Sequence, residues 1–94
     1  MRPSEALQEK REKAREIIAR YPVANPRIFG SVARGEDTDR SDIDILVERT
    51  GRMSYFDLFQ LEDELATLLG CKVEIFTKLK PHAAASAARD MKAL

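Results

Sequence analysis

The chain is poor in cysteine and histidine, has no net charge, and carries no long apolar run. Each shortage closes a class of function. Cys71 is the one cysteine in 94 residues, so no internal disulfide can form, and with a single histidine, His82, no Cys/His cluster is available for zinc. Sixteen Lys and Arg against 16 Asp and Glu cancel. That balance removes the general attraction to a phosphate backbone and argues against a polymerase working along a long nucleic-acid template. No segment approaches the roughly 20 apolar residues that cross a bilayer. The first twenty residues carry charges throughout, with no signal-peptide core. The expectations are a cytoplasmic location and no membrane. At 94 residues and 44% hydrophobic content, the chain reads as one small domain, 1–94, near the size at which a partner surface often supplements the core.

Hydrophobic spacing gives a coarse order of elements. Ser4 can cap a first helix running to about Arg20, with Leu7, Ala14, Ile17, Ile18 and Tyr21 on one stripe and Glu9/Lys13 and Glu16/Arg20 as i,i+4 pairs. Pro22 and Pro26 break it and bracket a connection into a short strand, Pro26 to Phe29. A second strand covers Asp42 to Glu48. Ser54 and Asp57 form a capping-box start for a helix whose stripe is Leu58, Leu61, Leu65, Leu68 and Leu69, with Gly70 as its stop. Tyr55 reads as a packing residue. A third strand, Cys71 to Phe76, follows, and the intervening helix implies that it runs parallel to the second. Cys71 reads as a buried thiol. The alanine-rich tail from Pro81 reads as a weakly packing helix that helps to bind a partner. The fold class is therefore α/β (α+β), with helices packed on a small mixed three-stranded sheet in the order αβ(α)βαβα.

The segment GSVARGEDTDRSDIDILV, Gly30 to Val47, carries the chemistry. Side chains on a strand alternate in direction, so Asp42 and Asp44 project from one face and Ile43, Ile45 and Val47 from the other. Two acids on one face repel unless a cation lies between them, and Mg²⁺, which takes one or two carboxylates together with substrate phosphates, suits them. Upstream, Gly30 lets the backbone turn close to a phosphate, Ser31 adds a hydroxyl, and a helical turn from Val32 to Arg34 would aim unpaired N–H groups at the same point. Each piece has a plainer reading: a polar strand face, a strand-ending glycine, an N-cap serine, a solvated Arg34-Gly35 turn. Their coincidence in one strand-turn-strand unit favours the functional one.

Gly-Ser, ten residues, then Asp-Ile-Asp resembles the signature of the DNA polymerase beta type nucleotidyltransferases. In so short a chain, GSVARGEDTDRSDIDILVE looks like the minimal nucleotidyltransferases, the MNT family. The resemblance implies that Asp42 and Asp44 hold divalent ions, that a third carboxylate on the neighbouring strand shares one of them, and that Gly30 and Ser31 hold the β- and γ-phosphates of ATP. By strand order Glu74 is the match for the third acid, although the family usually has aspartate there. The extra methylene matters, because a misplacement of about 1 Å can cost on the order of 100-fold in rate. Glu74 also has a plain reading as a solvated charge on an edge strand. Arg34 would add charge stabilisation at the phosphates, or simply pair with Glu36 or Asp39. Two Mg²⁺ ions would serve as cofactor and ATP as substrate. The family further implies an antitoxin that neutralises a HEPN-type ribonuclease toxin, by binding it or by moving AMP onto one of its tyrosine hydroxyls.

Two rivals stand beside this expectation. One is a catalytically weak nucleotidyltransferase-like antitoxin that inhibits its partner by occlusion alone. The other is transfer to a cationic small molecule such as an aminoglycoside, for which Glu36, Asp37 and Asp39 would supply acidity but 94 residues offer little room. His82 reads as a surface or capping residue.

Overall fold

The computed structural model describes residues 1–94. The elements are α1 (Pro3–Glu9), α2 (Arg11–Ile18), β1 (Val23–Phe29), α3 (Ser31–Arg34), β2 (Ile43–Arg49), α4 (Tyr55–Leu69), β3 (Val73–Phe76), α5 (Pro81–Ala88) and β4 (Lys92–Ala93). The sheet has the order β3-β2-β1-β4, with β1 antiparallel to both β2 and β4, and β2 parallel to β3 as the intervening helix implied. It thus has four strands where three were expected. The added one is two residues long at the free edge of β1, too short and too polar to leave a period-two signature.

Alternation decides which side of the sheet is covered. Ile43, Ile45, Val47, Val73 and Ile75 point toward Leu7, Ala14 and Ile18 of the first two helices and toward Leu61, Leu65 and Leu69 of α4, forming one buried cluster. Ile43 and Ile45 are 0% exposed, and each such side chain contributes about 1.5–3 kcal/mol on burial. The alternate residues, Asp44, Leu46, Glu74 and Phe76, are half-buried on the opposite face. The leucine stripe expected of α4 is present: Leu58 and Leu68 pack at the margin of this core.

Helix α4 begins and ends where its sequence predicts. The Ser54 hydroxyl accepts from the Asp57 N–H at 3.1 Å, the Asp57 carboxylate accepts from the Ser54 N–H at 3.1 Å, and Gly70 caps the far end. The N-terminal helix differs. It divides at Lys10, and its cap is Arg2 followed by Pro3, not Ser4. No proline or glycine marks the division. Tertiary anchors do: the buried Asp37 carboxylate accepts from the Ser4 N–H at 2.8 Å, while the Lys10 ammonium donates to the Leu68 carbonyl at 3.0 Å. The expected Glu9/Lys13 and Glu16/Arg20 pairs do not form. Arg15 instead meets Glu12, and Arg20 meets Glu64. Tyr21 packs against the core and donates to Glu64 at 2.6 Å. Burial and that carboxylate push its phenol up to about 12.

Further departures lie at element edges. β1 starts at Val23, before Pro26, because a bulge between Ala24 and Arg27 absorbs the proline and puts Asn25 at φ 51°. Tyr55, expected to pack, is 81% exposed, and Cys71 is only partly buried. In α5 Ala87 alone is buried, in keeping with a weakly packed tail. No helix is long and apolar enough to cross a membrane.

Candidate active site

β1 delivers the chain to the site and Gly30 turns it. At φ 80° and ψ −158°, Gly30 occupies backbone space that is essentially restricted to glycine. A Cβ there would lie 3.0 Å from Oδ2 of Asp44, so the glycine also lets the turn press against the acid. Antiparallel pairing of Phe29 with Asp44 brings the two together. α3 starts at the next residue, and the first N–H groups of any helix lack an intrahelical acceptor, so those of Ser31, Val32 and Ala33 are unspent within it, while the Arg34 N–H donates to the Gly30 carbonyl at 3.2 Å. The four residues of α3 end at Gly35, whose N–H bonds the Val32 carbonyl at 3.2 Å.

The acids come from two parallel neighbours. Asp44 is in register with Glu74, on the same face, and Asp42 immediately precedes β2. Burial, then the charges of Glu74 and Asp42, push the Asp44 carboxyl above its ordinary range, with Lys72 working against them. The three acids therefore share one electrostatic environment. Lys72 was missed in the sequence reading, although its spacing from Glu74 places it on the same strand face. Its ammonium lies 3.1 Å from Glu74 Oε1, and that hydrogen bond, with the charges of Glu74 and Asp42, holds it above the usual lysine range. Cys71 is also pushed up, by burial and then by Asp42 and Asp37.

The expected convergence of three acids on one ion is not assembled in this conformation: no three His, Cys, Asp or Glu side chains are grouped to hold a metal. The Glu74 carboxylate is instead paired with Lys72. The donor chemistry of Asp42 and Asp44 nevertheless fits a hard divalent cation. Asp44 stands beside two further acids, with Lys72 as the neighbouring cation.

Arg34 faces two acids. Its guanidinium pairs with Glu36 at 2.7 Å and with Asp90 at 2.8 Å, not with Asp39, and those hydrogen bonds raise its already high value further. Asp90, beyond α5, gave no sequence signal for this role. Asp37 is buried, and Oδ1 has no hydrogen-bond partner. Burial opposes its charge, but the Ser4 N–H and its other hydrogen bonds leave it lowered overall. It therefore braces α1 and is not on offer to a cationic substrate. On the same open face the Phe29 and Phe76 rings meet edge-on at 5.4 Å. A groove of about 310 Å³ beyond them is lined by Arg27, Leu46, Thr77, Lys78 and α5. The cavity of about 350 Å³ at Arg49, Met53 and Tyr55 lies at the far end of β2 from the acids and takes no part. His82 is exposed at the start of α5.

Comparison with known proteins gives the family and the fold. Residues 12–92 match the family model described as Polymerase beta, Nucleotidyltransferase. A Methanocaldococcus jannaschii relative named "Putative protein adenylyltransferase MJ0128" is 51% identical over 63% of this chain, an aligned part that spans 60% of the relative's own length. A solved structure described as "putative minimal nucleotidyltransferase" is 34% identical, with a TM-score of 0.83 over 97% of this chain and 95% of that one. The same fold recurs in a complex of a tri-AMPylated Shewanella oneidensis HEPN toxin with an MNT antitoxin. There the identity is 19% and the TM-score 0.65, over 96% of this chain and 70% of that one. A glycine turn abutting an Asp-x-Asp strand, in a fold shared from end to end with so small a relative, makes this chain a minimal member of the polymerase beta nucleotidyltransferase family.

Proposed function

We propose that the chain transfers AMP from ATP to a hydroxyl of a partner protein, a HEPN-type toxin, and so acts as its antitoxin in the cytoplasm. The observation that carries the reading is the fit of the Gly30 turn against Asp44, where an added Cβ would lie 3.0 Å from Oδ2, with Glu74 in register on the next strand. A glycine turn and neighbouring acids thereby share one edge. The adenylyltransferase name of the Methanocaldococcus relative and the AMPylated toxin of the Shewanella complex support the choice of nucleotide and acceptor.

Gly30, Ser31 and the N–H groups of α3 would cradle the β- and γ-phosphates, and Arg34 would serve them on release from Asp90. Asp42, Asp44 and Glu74 would hold two Mg²⁺ ions, which when bound would supply charge neutralisation for the triphosphate. The acceptor oxygen forms a bond to the α-phosphorus and the bond to the β-phosphate oxygen breaks. Pyrophosphate leaves with the electron pair, and the hydroxyl proton passes to Glu74. Positioning and electrostatics suffice, with no covalent enzyme intermediate.

The test is ATP labelled at the α-phosphate, incubated with Mg²⁺, the chain and its partner. Label is expected on the partner and should fall on the order of 10²–10³-fold or more in Asp42→Ala, the scale at which loss of one stabilising group is felt. Label at the γ-phosphate should not transfer. One observation favours a second reading, occlusion without transfer: the Lys72–Glu74 pair leaves the third acid engaged. An inhibited but unlabelled partner would decide for it.

A further inference from the structure

The open face of the sheet carries four charged side chains in a two-by-two block. Asp44 and Glu74 are register partners on β2 and β3. Asp42 and Lys72 immediately precede those strands, and the Ile43 N–H donates to the Lys72 carbonyl at 2.9 Å, so the parallel ladder continues one residue back and sets Lys72 beside Asp42. Side chains two apart on a strand share a face. The block therefore holds three acids and one cation, with the Lys72 ammonium 3.1 Å from Glu74 Oε1.

Folding stability does not account for this pair. The Lys72 side chain is 66% exposed and that of Glu74 38%, and an ion pair so open to solvent contributes little to the folded state. The effect of the ammonium is local and electrostatic: carboxylates side by side on neighbouring strands repel one another, and Lys72 is the cation that relieves Asp44. A divalent ion would relieve the same three acids with twice the charge. Lysine and ion thus compete for one set of carboxylates. A competitor carried on the chain itself lowers the fraction of molecules ready to bind, and the apparent affinity falls by that fraction.

Resting on the reading of these acids as ion ligands in AMP transfer, we propose that Lys72 is a positioning residue that occupies Glu74 and thereby sets the divalent-ion affinity of the acid cluster. Removing the ammonium then has two effects of opposite sign. Without an ion the three acids lose their counter-charge, and the chain should melt lower. With an ion the competitor is gone, and binding should tighten. A pair that served only the surface would give the first effect alone.

Mn²⁺ binding to the nucleotide-free chain, followed by the paramagnetic resonance signal of the free ion, tests this without any turnover. Lys72→Met should bind Mn²⁺ about fivefold or more tighter than wild type, the scale of one unit charge removed from beside the ion at a partly exposed position. Lys72→Arg, which keeps a cation on Glu74, should show no such gain. In a Glu74→Gln background the gain from Lys72→Met should shrink to about twofold or less, because the carboxylate that couples the two is gone. Asp44→Asn should remove binding from wild type and from Lys72→Met alike, which locates the ion in this block, and circular dichroism should show each variant folded. Equal Mn²⁺ affinity in wild type and Lys72→Met overturns the proposal. So does a gain that persists in full without Glu74, binding indifferent to Asp44→Asn, or no binding by either chain at millimolar Mn²⁺. Transfer of α-phosphate label is read separately: transfer with unchanged Mn²⁺ affinity overturns the role of Lys72 alone, whereas tighter Mn²⁺ binding with no transfer upholds that role and overturns the AMP-transfer reading.

Discussion

The two faces of β2 and β3 share one backbone and differ only in the parity of their residues. One face, Ile43, Ile45, Val47, Val73 and Ile75, is sealed against helices. The other sets Asp44 beside Glu74, with Asp42 close by and only Lys72 to offset them. Asp44 is itself half-buried on this second face, and that burial raises the cost of its charge. The chain thus places neighbouring acids on a half-buried face, at a cost to folding. Substitutions on either face should separate stability from activity in opposite directions.

The largest effect is expected from Ile45→Ala, on the sealed side. Ile45 is fully buried at the middle of the parallel pair, and such a truncation costs about 2–5 kcal/mol through lost burial and the cavity left behind. For a domain of this size that is a large share of a typical total of about 5–15 kcal/mol. Urea denaturation should show the midpoint falling with the slope retained. Active-site chemistry should persist in the fraction that stays folded.

Gly30→Ala comes next and probes the junction of turn and acid. Two costs combine: a backbone conformation that alanine adopts only under strain, about 1–3 kcal/mol, and a Cβ at 3.0 Å from Asp44 Oδ2. Gly35→Ala is the control. It shares a positive φ, 73°, though in the milder left-handed helical region, and has nothing within 4 Å of its added Cβ. Both variants should lose thermal stability, while only Gly30→Ala should lose AMP transfer out of proportion to it. Equal losses of transfer would mean that the glycine matters for the bend alone.

What was legible in the sequence was whatever local chemistry fixes. The Ser54–Asp57 box, the Gly70 stop, the Asp42/Asp44 alternation and the parallel β2–β3 order each follow from residues close in the chain or from one connecting helix. What was illegible depends on distant partners. The division at Lys10 reflects grips from Asp37 and onto Leu68, fragments far away in sequence. The pairing of Arg34 with Asp90 spans 56 positions. Tyr55 looked like packing because an aromatic at a helix start usually finds the core, and nothing nearby shows that Leu58 and Leu61 have already filled it. The engagement of Glu74 by Lys72 could have been anticipated from their spacing, yet a strand-face lysine reads as solvated until a carboxylate is known to lie beside it.

The smallest effect should come from Asp44→Asn, read as stability and not as activity. Burial and the neighbouring acids raise the Asp44 carboxyl in the folded state above its ordinary 3.8. Its favourable contribution is therefore complete below that value and is lost as pH rises through the folded one. At neutral pH the ionised carboxylate is a liability in the metal-free chain, and the isosteric amide removes it. Asp44→Asn should melt higher than wild type at pH 7, by less than about 1 kcal/mol since the group is partly exposed and screened, or at most about 4–8 °C. The difference should shrink toward zero as the pH is lowered past the ordinary carboxylate range. Adding Mg²⁺ should raise the melting temperature of wild type by mass action and leave the variant nearly unmoved, reversing their order. A variant that melts lower at every pH, with or without Mg²⁺, would place Asp44 on the structural side of the sheet's division and not on the charged one.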